Sequence, residues 1–464
     1  MPDRETLTGS YLDLIGGKGV PAAELLARVP ESELLTSYFT GDHHSRFLPR
    51  PVFLDARDVA RLTADLEHLH TALTGLPDRL YGGDIEAFAR DVGMTEDQTE
   101  AIVRSRSGNG GGAVSRQGRA DLYLDASGFR LLELNLNSAL GGRDNAEMCR
   151  ALLAHPLLDE FATRHGLGHV DTMREEIRNL LAETGLTAAD RPVVAMVDWP
   201  SSYEELAPFL ERYCARLREL GLDAYPCHIG QLRYGEDRVW LGERPVDVVL
   251  RTFLAEDLLE SADAPARMRP LLNAVAAGRV RMFSPLDSEL FASKGALAML
   301  SDERNRHLLT PAELASVDRL LPWTRAVRRG ETALEDGRRV DLLGYALTHR
   351  DDLVLKPTSL HGGAGIVLGW EERTTPEVWR EHLHAALDGG YVIQRRVRPE
   401  PELFPDADGR LVPWVVVWGV FTGAHGFAGA ACRATRADAD STVVNVAGGA
   451  AYVAALYPVP APSD

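Results

Sequence analysis

Hydrophobic residues recur at helical spacing in the first part of the chain. Between positions 55 and 76 they stand three to four residues apart, which predicts an amphipathic helix. The same spacing predicts shorter helices at 84–92, 96–104 and 145–153. Two apolar runs with the period of a strand lie between these helices, at 120–124 and 129–137. The first third of the chain is therefore predicted to be helical, with one β-hairpin.

From position 192 the pattern alternates between strand and helix. The run PVVAMVDW predicts a strand, 203–220 has helical spacing, and short strands are predicted at 223–227, 238–241 and 246–250. This alternation is typical of an α/β module with a mostly parallel sheet.

The last third mixes both element types. Helices are predicted at 293–301, 311–320 and 376–386, and strands at 353–357, 366–370, 391–397 and 412–421. The predicted fold class is therefore α/β, and the chain divides into regions 1–165, 190–285 and 286–464, joined by a helical connector at 166–190.

Composition narrows the possible partners. The chain has 464 residues and a formal net charge of −18, with no long Lys/Arg run. Such a chain repels a phosphate backbone, so no nucleic-acid partner is expected. The longest apolar run, 412–421, is far below the ~20 residues of a membrane helix, and the first ten residues do not resemble a signal peptide. The four cysteines form no C-x-x-C pair, which fits a reducing cytoplasm. The oligomeric state stays open.

The hairpin is the sharpest local signal. Residues 126–128, Ala-Ser-Gly, suit a three-residue hairpin loop with Gly128 in the left-handed conformation. Pairing Asp125 with Phe129 then places Asp121 opposite Glu133. Side chains alternate along a strand, so one face is polar, carrying Arg119, Asp121, Glu133 and Asn135. The other face is predicted to enter the core through Leu122, Leu124, Leu132, Leu134 and Leu136.

The polar face of the hairpin suggests a metal site. Asp121, Glu133 and Asn135 offer two carboxylates and an amide, and Mg²⁺ prefers one or two carboxylates together with water and phosphate oxygens. Arg119 adds a positive charge suited to a phosphate or an acyl phosphate. The alternative is a solvated sheet face with a cross-strand ion pair.

A lysine and a glycine-rich loop suggest phosphate binding. Lys356 ends the apolar strand LVLKP, and the loop after it contains Gly362, Gly363 and Gly365. Glycines allow backbone N–H groups to approach phosphates closely. The loop is not a Walker motif, because G-K-[ST] is missing. The alternative is an ordinary turn.

Four further residues are weaker candidates when each is considered alone. Lys294 is one of only three lysines in the chain, and it begins a predicted helix. Gln394 is a polar residue in a β-run, suited to the edge of an adenine. Arg433 leaves a strand of small residues and could cap a terminal phosphate. Arg143 follows Gly141-Gly142 just beyond the hairpin and is a candidate for binding a substrate carboxylate. The alternatives are a surface lysine for Lys294 and an exposed turn for Arg433.

Taken together, these elements resemble a circularly permuted ATP-grasp ligase, and the glutathionylspermidine synthase family in particular. That family has Arg-x-Asp, followed twelve residues after the Asp by Glu-x-Asn. Arg119-Ala-Asp121 and Glu133-Leu-Asn135 match this pattern and its spacing. The run 137–143, Asn-Ser-Ala-Leu-Gly-Gly-Arg, departs from the Asp-Thr-Pro-Thr-like run of the polyamine-joining enzymes.

The resemblance implies roles for the remaining candidates. Two lysines on ATP phosphates correspond to Lys294 and Lys356, a glycine-rich lid to 361–365, a hinge glutamine to Gln394, and an arginine on the terminal phosphate to Arg433. It also implies an ATP-grasp architecture in which a nucleotide is sandwiched between two sheets. Region 1–165 would then carry the metal hairpin, 190–285 a substrate module, and 286–464 the ATP-binding subdomain with the lid and the C-terminal core strands.

The function implied is ATP-dependent joining of a carboxylate to an amine through an acyl phosphate, with Mg²⁺ and release of ADP and phosphate. A phosphotransferase and a nucleotide-binding scaffold without turnover are the alternatives. The sequence does not identify the acid or the amine.

Overall fold

In the computed structural model of the protein, the described residues are 2–36, 46–107, 114–360, 364–439, 444 and 449–459. The α-helices are α1 (Arg4–Lys18), α2 (Ala22–Leu25), α3 (Glu33–Thr36), α4 (Ala56–Thr74), α5 (Leu76–Tyr81), α6 (Ile85–Asp91), α7 (Glu96–Ser107), α8 (Asn145–Leu153), α9 (Pro156–His165), α10 (Thr172–Thr184), α11 (Pro200–Glu219), α12 (Ala264–Ala276), α13 (Ser288–Ala292), α14 (Lys294–Ser301), α15 (Pro311–Leu320), α16 (Leu342–Thr348) and α17 (Pro376–Ala385). Within these ranges no helix has the length and apolar character needed to cross a membrane.

The strands are β1 (Val52–Phe53), β2 (Gly118–Asp125), β3 (Gly128–Asn135), β4 (Val193–Asp198), β5 (Asp223–His228), β6 (Leu232–Tyr234), β7 (Val239–Leu241), β8 (Arg244–Val246), β9 (Val248–Arg251), β10 (Arg281–Phe283), β11 (Thr324–Ala326), β12 (Glu331–Ala333), β13 (Arg339–Asp341), β14 (Leu353–Pro357), β15 (Val367–Leu368), β16 (Tyr391–Arg395), β17 (Glu402–Pro405), β18 (Leu411–Gly423), β19 (Gly426–Arg436), β20 (Ala451–Val453) and β21 (Ala455–Leu456). The protein is a mixed α/β structure with several sheets, as predicted.

The largest sheet combines strands that lie far apart in the sequence. Its order is β20-β19-β18-β2-β3, and β17 pairs with β18. The predicted hairpin β2–β3 therefore joins the long apolar strand β18, with Asp121 paired to Gly419. One face of this sheet enters a hydrophobic core that includes Leu122, Trp418 and, from helix α4, Leu66. Helix α4 begins at an Asp55 capping box, and its apolar stripe matches the predicted helix.

The middle of the chain forms the predicted parallel sheet. Its order is β10-β9-β4-β5, and all neighbouring strands in it are parallel. The single strand predicted at 246–250 is divided, because Val246 ends β8 in an antiparallel pair with β7 whereas Val248 begins β9 in the parallel sheet.

A third sheet carries the predicted lysine strand. Its order is β11-β16-β14-β15, and its paired strands are antiparallel. Strand β14 has the predicted bounds, and Lys356 on it pairs with Val392 on β16. The strand predicted at 366–370 is shorter, because only Val367 and Leu368 join the ladder.

The hairpin differs from the prediction at its tip. Asp125 pairs with Gly128, not with Phe129, so the turn is one residue shorter than predicted. Gly128 has a φ of 125°, which favours glycine. A β-bulge at Leu132 absorbs the extra residue, and the predicted pair of Asp121 with Glu133 is confirmed. Leu131 therefore enters the core in place of Leu132.

This exchange predicts a difference in stability between two neighbouring leucines. Leu131 is 0% exposed, whereas Leu132 is only partly buried and lines a cavity. We expect Leu131→Ala to lower the free energy of unfolding by about 2–5 kcal/mol, because it opens a hole in the core. Leu132→Ala should cost clearly less. Urea denaturation of both variants measures the difference, and equal losses would contradict the bulge.

Candidate active site

A cavity of about 570 Å³ lies between the six-stranded sheet and the sheet that contains β14. This volume is in the range of small-molecule sites. Polar and charged residues predicted from the sequence line it: Arg119, Asp121, Glu133, Asn135, Lys356, Gln394 and Arg433. The hairpin faces Lys356: Lys356 Nζ donates to the Leu132 carbonyl at 3.0 Å although 224 positions separate them.

Asp121 holds two arginines at the centre of this cavity. Arg119 donates from Nε to Asp121 Oδ1 at 2.8 Å and from Nη2 to Oδ2 at 3.0 Å. Arg433 Nη2 lies 2.8 Å from the same Oδ2. Burial alone would raise the pKa of Asp121, but Arg119 and then Arg433 outweigh it and hold this pKa well below its usual range.

A glycine on the intervening strand makes room for this cluster. Strand β18 separates β2 from β19, and Gly419 on it pairs with both Asp121 and Ala431. A Cβ at Gly419 would lie 3.0 Å from Arg119 Cδ and 3.3 Å from Asp121 Oδ1. It would also lie 2.5 Å from the Ala431 carbonyl oxygen, so the close approach of Arg119 and Asp121 to β18 requires glycine at this position.

Glu133 forms an ion pair with Lys294. Lys294 Nζ lies 3.4 Å from Glu133 Oε2 and donates to the Leu360 carbonyl at 3.0 Å. Lys294 begins helix α14 behind the capping residue Ser293, and its backbone N–H donates to the Thr358 carbonyl. These contacts hold Lys294 between the hairpin β2–β3 and the start of the glycine-rich loop.

Lys356 is oriented by a glutamine. Its Nζ donates to Gln394 Oε1 at 2.7 Å, and Gln394 Nε2 donates to Thr324 Oγ1 at 3.0 Å. Burial lowers the pKa of Lys356 to about 8, a shift that Glu133 opposes and Lys294 supports. In this structure Gln394 thus lines the cavity but bonds to protein groups.

The hairpin suits a hard divalent cation. Asp121 and Glu133 are directly opposed, and Asn135 lies opposite Arg119. Asn135 is buried, and its Nδ2 has no hydrogen-bonding partner among the described residues. Within the same ranges no group of three or more His, Cys, Asp or Glu side chains is placed so that it could hold a metal ion. Two carboxylates and an amide leave several positions of an Mg²⁺ ion for water and phosphate oxygens, which is how proteins commonly hold Mg²⁺.

Arg143 does not reach this cavity. Its side chain is 1% exposed, its Nε lies 3.1 Å from Glu176 Oε1, and its guanidinium lies 4.9 Å from the centre of the Phe421 ring. The prediction that Arg143 binds a substrate carboxylate is therefore not supported, because the arginine is committed to a buried partner on α10.

The predicted glycine loop is only partly described. Gly362 and Gly363 lie outside the described residues. Gly365 has a φ of 69°, and a Cβ on it would lie 2.7 Å from Pro357 Cγ, so the backbone there requires glycine.

Several cavity residues were not assigned a role from the sequence. Asn137 follows Glu133 and Asn135 on the same face and is 2% exposed, and its Oδ1 has no hydrogen-bonding partner in the described ranges. At the other end, the Arg396 guanidinium lies 4.0 Å from the centre of the Trp370 ring. The alternation of polar residues at 133, 135 and 137 is a signal that could have included Asn137.

Comparison with known proteins gives relatives in sequence and a neighbour in structure. No protein-family model matches the chain. An uncharacterized protein of Mycobacterium leprae is 28% identical over 290 residues, covering 61% of this chain and 45% of its own length. An uncharacterized protein of Mycobacterium tuberculosis is 28% identical over 288 residues, covering 61% and 46%. The chain therefore spans less than half the length of these relatives.

One structural neighbour is a glutathione synthetase-like effector of Globodera pallida in its apo form. It aligns with a TM-score of 0.56 at 13% identity, covering 98% of both chains. The chain shares its fold. At 13% identity the likeness concerns the fold alone and does not extend to the residues of the cavity.

The arginine cluster predicts a large effect of Asp121→Asn on stability. The variant leaves Arg119 and Arg433 without their buried carboxylate, so we expect a loss of about 3 kcal/mol in the free energy of unfolding. Glu133→Gln, at a partly exposed pair, should cost at most about 1 kcal/mol. Because the pKa of Asp121 is depressed in the folded protein, its stabilisation is fully present above the ordinary carboxyl pKa of about 4 and declines as the pH falls below that value towards the much lower pKa of the folded state. Urea denaturation at pH 7 and pH 3 measures both effects, and a difference between the parent and Asp121→Asn that does not shrink at pH 3 would contradict the depressed pKa.

Proposed function

We propose that the protein is an ATP-dependent ligase that joins a carboxylate to an amine through an acyl phosphate. One observation carries the proposal. The opposed carboxylates of the hairpin share a cavity between two sheets with Lys356 and Arg433. Acidic groups suited to Mg²⁺ beside cations suited to phosphates are what transfer of a phosphoryl group requires.

The order of these elements along the chain supports a circular permutation of the ATP-grasp architecture. The hairpin comes more than 200 residues before Lys356, yet both line one cavity. The fold shared with a glutathione synthetase-like protein agrees with ligation at this coarse level.

The cationic side chains have two different roles in this proposal. Lys294 and Lys356 bind the phosphates of ATP and hold its terminal phosphoryl group in line with the substrate carboxylate. Arg119 and Arg433 stabilise the negative charge that develops during the transfer and on the acyl phosphate. Gln394 keeps Lys356 aimed into the cavity, because its Oε1 accepts from Nζ.

The hairpin would hold the metal through Asp121, Glu133 and Asn135. A divalent ion bound there supplies neutralising charge to the phosphate oxygens. The amine then attacks the acyl carbon, the C–O bond to phosphate breaks, and inorganic phosphate leaves with the proton of the amine.

The acid and the amine can be identified with a panel of amino acids, peptides and other small acids and amines, assayed by ATP-dependent release of phosphate.

The products of that assay separate the proposal from its alternatives. Release of ADP and phosphate that requires both an acid and an amine supports the ligase. ADP with a single phosphorylated product would identify a phosphotransferase. Nucleotide binding without turnover of any panel member would favour the scaffold.

We predict that Glu133→Gln lowers the turnover of ATP at least about 100-fold with the acid and amine that the panel identifies, because the charge that binds the metal is lost. Its melting temperature should stay close to that of the parent. Asp125→Asn, a partly exposed residue next to the turn of the same hairpin and outside the cavity lining, is the matched control and should turn over ATP at the parental rate. Parental turnover in Glu133→Gln would remove the hairpin from the active site.

Lys356→Met tests the phosphate site without turnover. We expect about tenfold weaker binding of a non-hydrolysable ATP analogue at pH 7, because a charge-assisted hydrogen bond is lost. The pKa of Lys356 is about 8, so parental affinity should fall between pH 7 and pH 9 as the lysine loses its charge, and the variant should lack this component. Lys18→Met, at an exposed lysine on α1, is the control. Calorimetry measures both, and identical pH profiles in parent and Lys356→Met would exclude the contact.

A further inference from the structure

The two carboxylates of the hairpin are each paired with cationic side chains of the protein itself. Asp121 is 3% exposed and accepts from Arg119 and Arg433 together, and Glu133 lies beside Lys294. A metal ion that approached alone would have to displace a positive charge from a buried carboxylate. Separating a buried carboxylate from its partner is costly when nothing replaces that partner.

The local balance of charge also disfavours a bare cation. Two carboxylates and four cationic side chains lie in this part of the cavity or directly beside it: Asp121, Glu133, Arg119, Lys294, Lys356 and Arg433. The excess of positive charge attracts a polyanion and repels a free dication.

Of the two arginines on Asp121, the contacts favour Arg433 as the one that moves. Arg119 makes two hydrogen bonds to Asp121, and its Nη1 donates to the Gly141 carbonyl at 2.6 Å. Arg433 lies on β19, two strands away from β2, and among the described residues its side chain has one ionic partner, Asp121 Oδ2. Arg433 is also the more exposed, at 18% against 11% for Arg119.

We infer that Arg433 makes metal binding conditional on a nucleoside triphosphate, because it occupies Asp121 until a terminal phosphate draws it away. The arginine exchanges one anionic partner for another. Arg119 keeps its hydrogen bonds to Asp121, and the position on Oδ2 that Arg433 leaves becomes available to the metal. A diphosphate lacks the terminal group and leaves Arg433 on Asp121. The site therefore selects the complex of a metal with a triphosphate over the free ion. This inference rests on the proposed nucleotide site.

The experiment measures Mn²⁺ binding by electron paramagnetic resonance to the full chain alone, with the non-hydrolysable analogue AMPPNP, and with ADP. For the parent we expect Mn²⁺ to bind at least about tenfold more tightly with AMPPNP than in either other condition, corrected for Mn²⁺ bound by nucleotide in solution. Binding is reciprocal, so Mn²⁺ should tighten AMPPNP binding by the same factor.

Arg433→Gln should remove the arginine that competes with a metal ion for Asp121 Oδ2. In this variant Mn²⁺ alone should bind about tenfold more tightly than to the parent, since a charge-assisted contact no longer competes for the carboxylate. The difference between AMPPNP and ADP should shrink. Arg433→Lys keeps the charge and should preserve the exclusion of free Mn²⁺. Arg436→Gln removes an arginine from the same strand, β19, where it pairs with the exposed Asp438, and should behave as the parent.

The outcomes separate this inference from the proposed function. Equal affinity of the parent for Mn²⁺ with and without AMPPNP, while AMPPNP binds, overturns the role of Arg433 and leaves the nucleotide site standing. Parental behaviour of a folded Arg433→Gln variant does the same. Failure of AMPPNP to bind to the parent overturns both. If Arg433→Gln does not fold, the three measurements on the parent decide alone.

Discussion

The carboxylate of Asp121, held by two arginines, is the interaction on which the cavity depends. It connects three adjacent strands of the large sheet. Arg119 and Asp121 lie on β2, Arg433 lies on β19, and Gly419 on the intervening strand β18 leaves room for Arg119 and Asp121. Such a buried cluster is stable only when every charge has a partner. It therefore fixes the hairpin against the C-terminal strands, and with them the wall that faces Lys356.

The charge of the whole chain and the charge of the cavity have opposite signs. The chain carries a formal net charge of −18, whereas cationic side chains predominate around Asp121 and Glu133. Exposed charges are screened within about 8–10 Å at physiological ionic strength, while charges in a partly buried cleft are screened much less. The affinity of the cavity for an anion is thus set by its own lining, and the acidic surface does not prevent it.

The sequence predicted the parts of the structure that local periodicity determines. The pair of Asp121 with Glu133 follows from strand alternation, and the position of Lys356 at the end of an apolar strand is confirmed. The bulge at Leu132 was missed because the turn and the core set the register from opposite ends of the hairpin, and a bulge is where the two are reconciled. The burial of Arg143 was missed for another reason: its partner Glu176 lies on a helix whose packing no local pattern reveals. The role of Gly419 likewise depends on strands that are distant in sequence.

The mixed origin of the large sheet has a consequence for biosynthesis. The hairpin β2–β3 is complete at Asn135, and its neighbour β18 begins at Leu411, 411 − 135 = 276 residues later. At ordinary rates of translation this interval lasts about 15–60 s. During it the apolar side of the nascent hairpin, with Leu122 and Leu134, lacks the strand that later pairs with it, and its edge is open to other chains. Chaperone capacity during translation is thus expected to govern the yield of active protein as much as the stability of the finished fold.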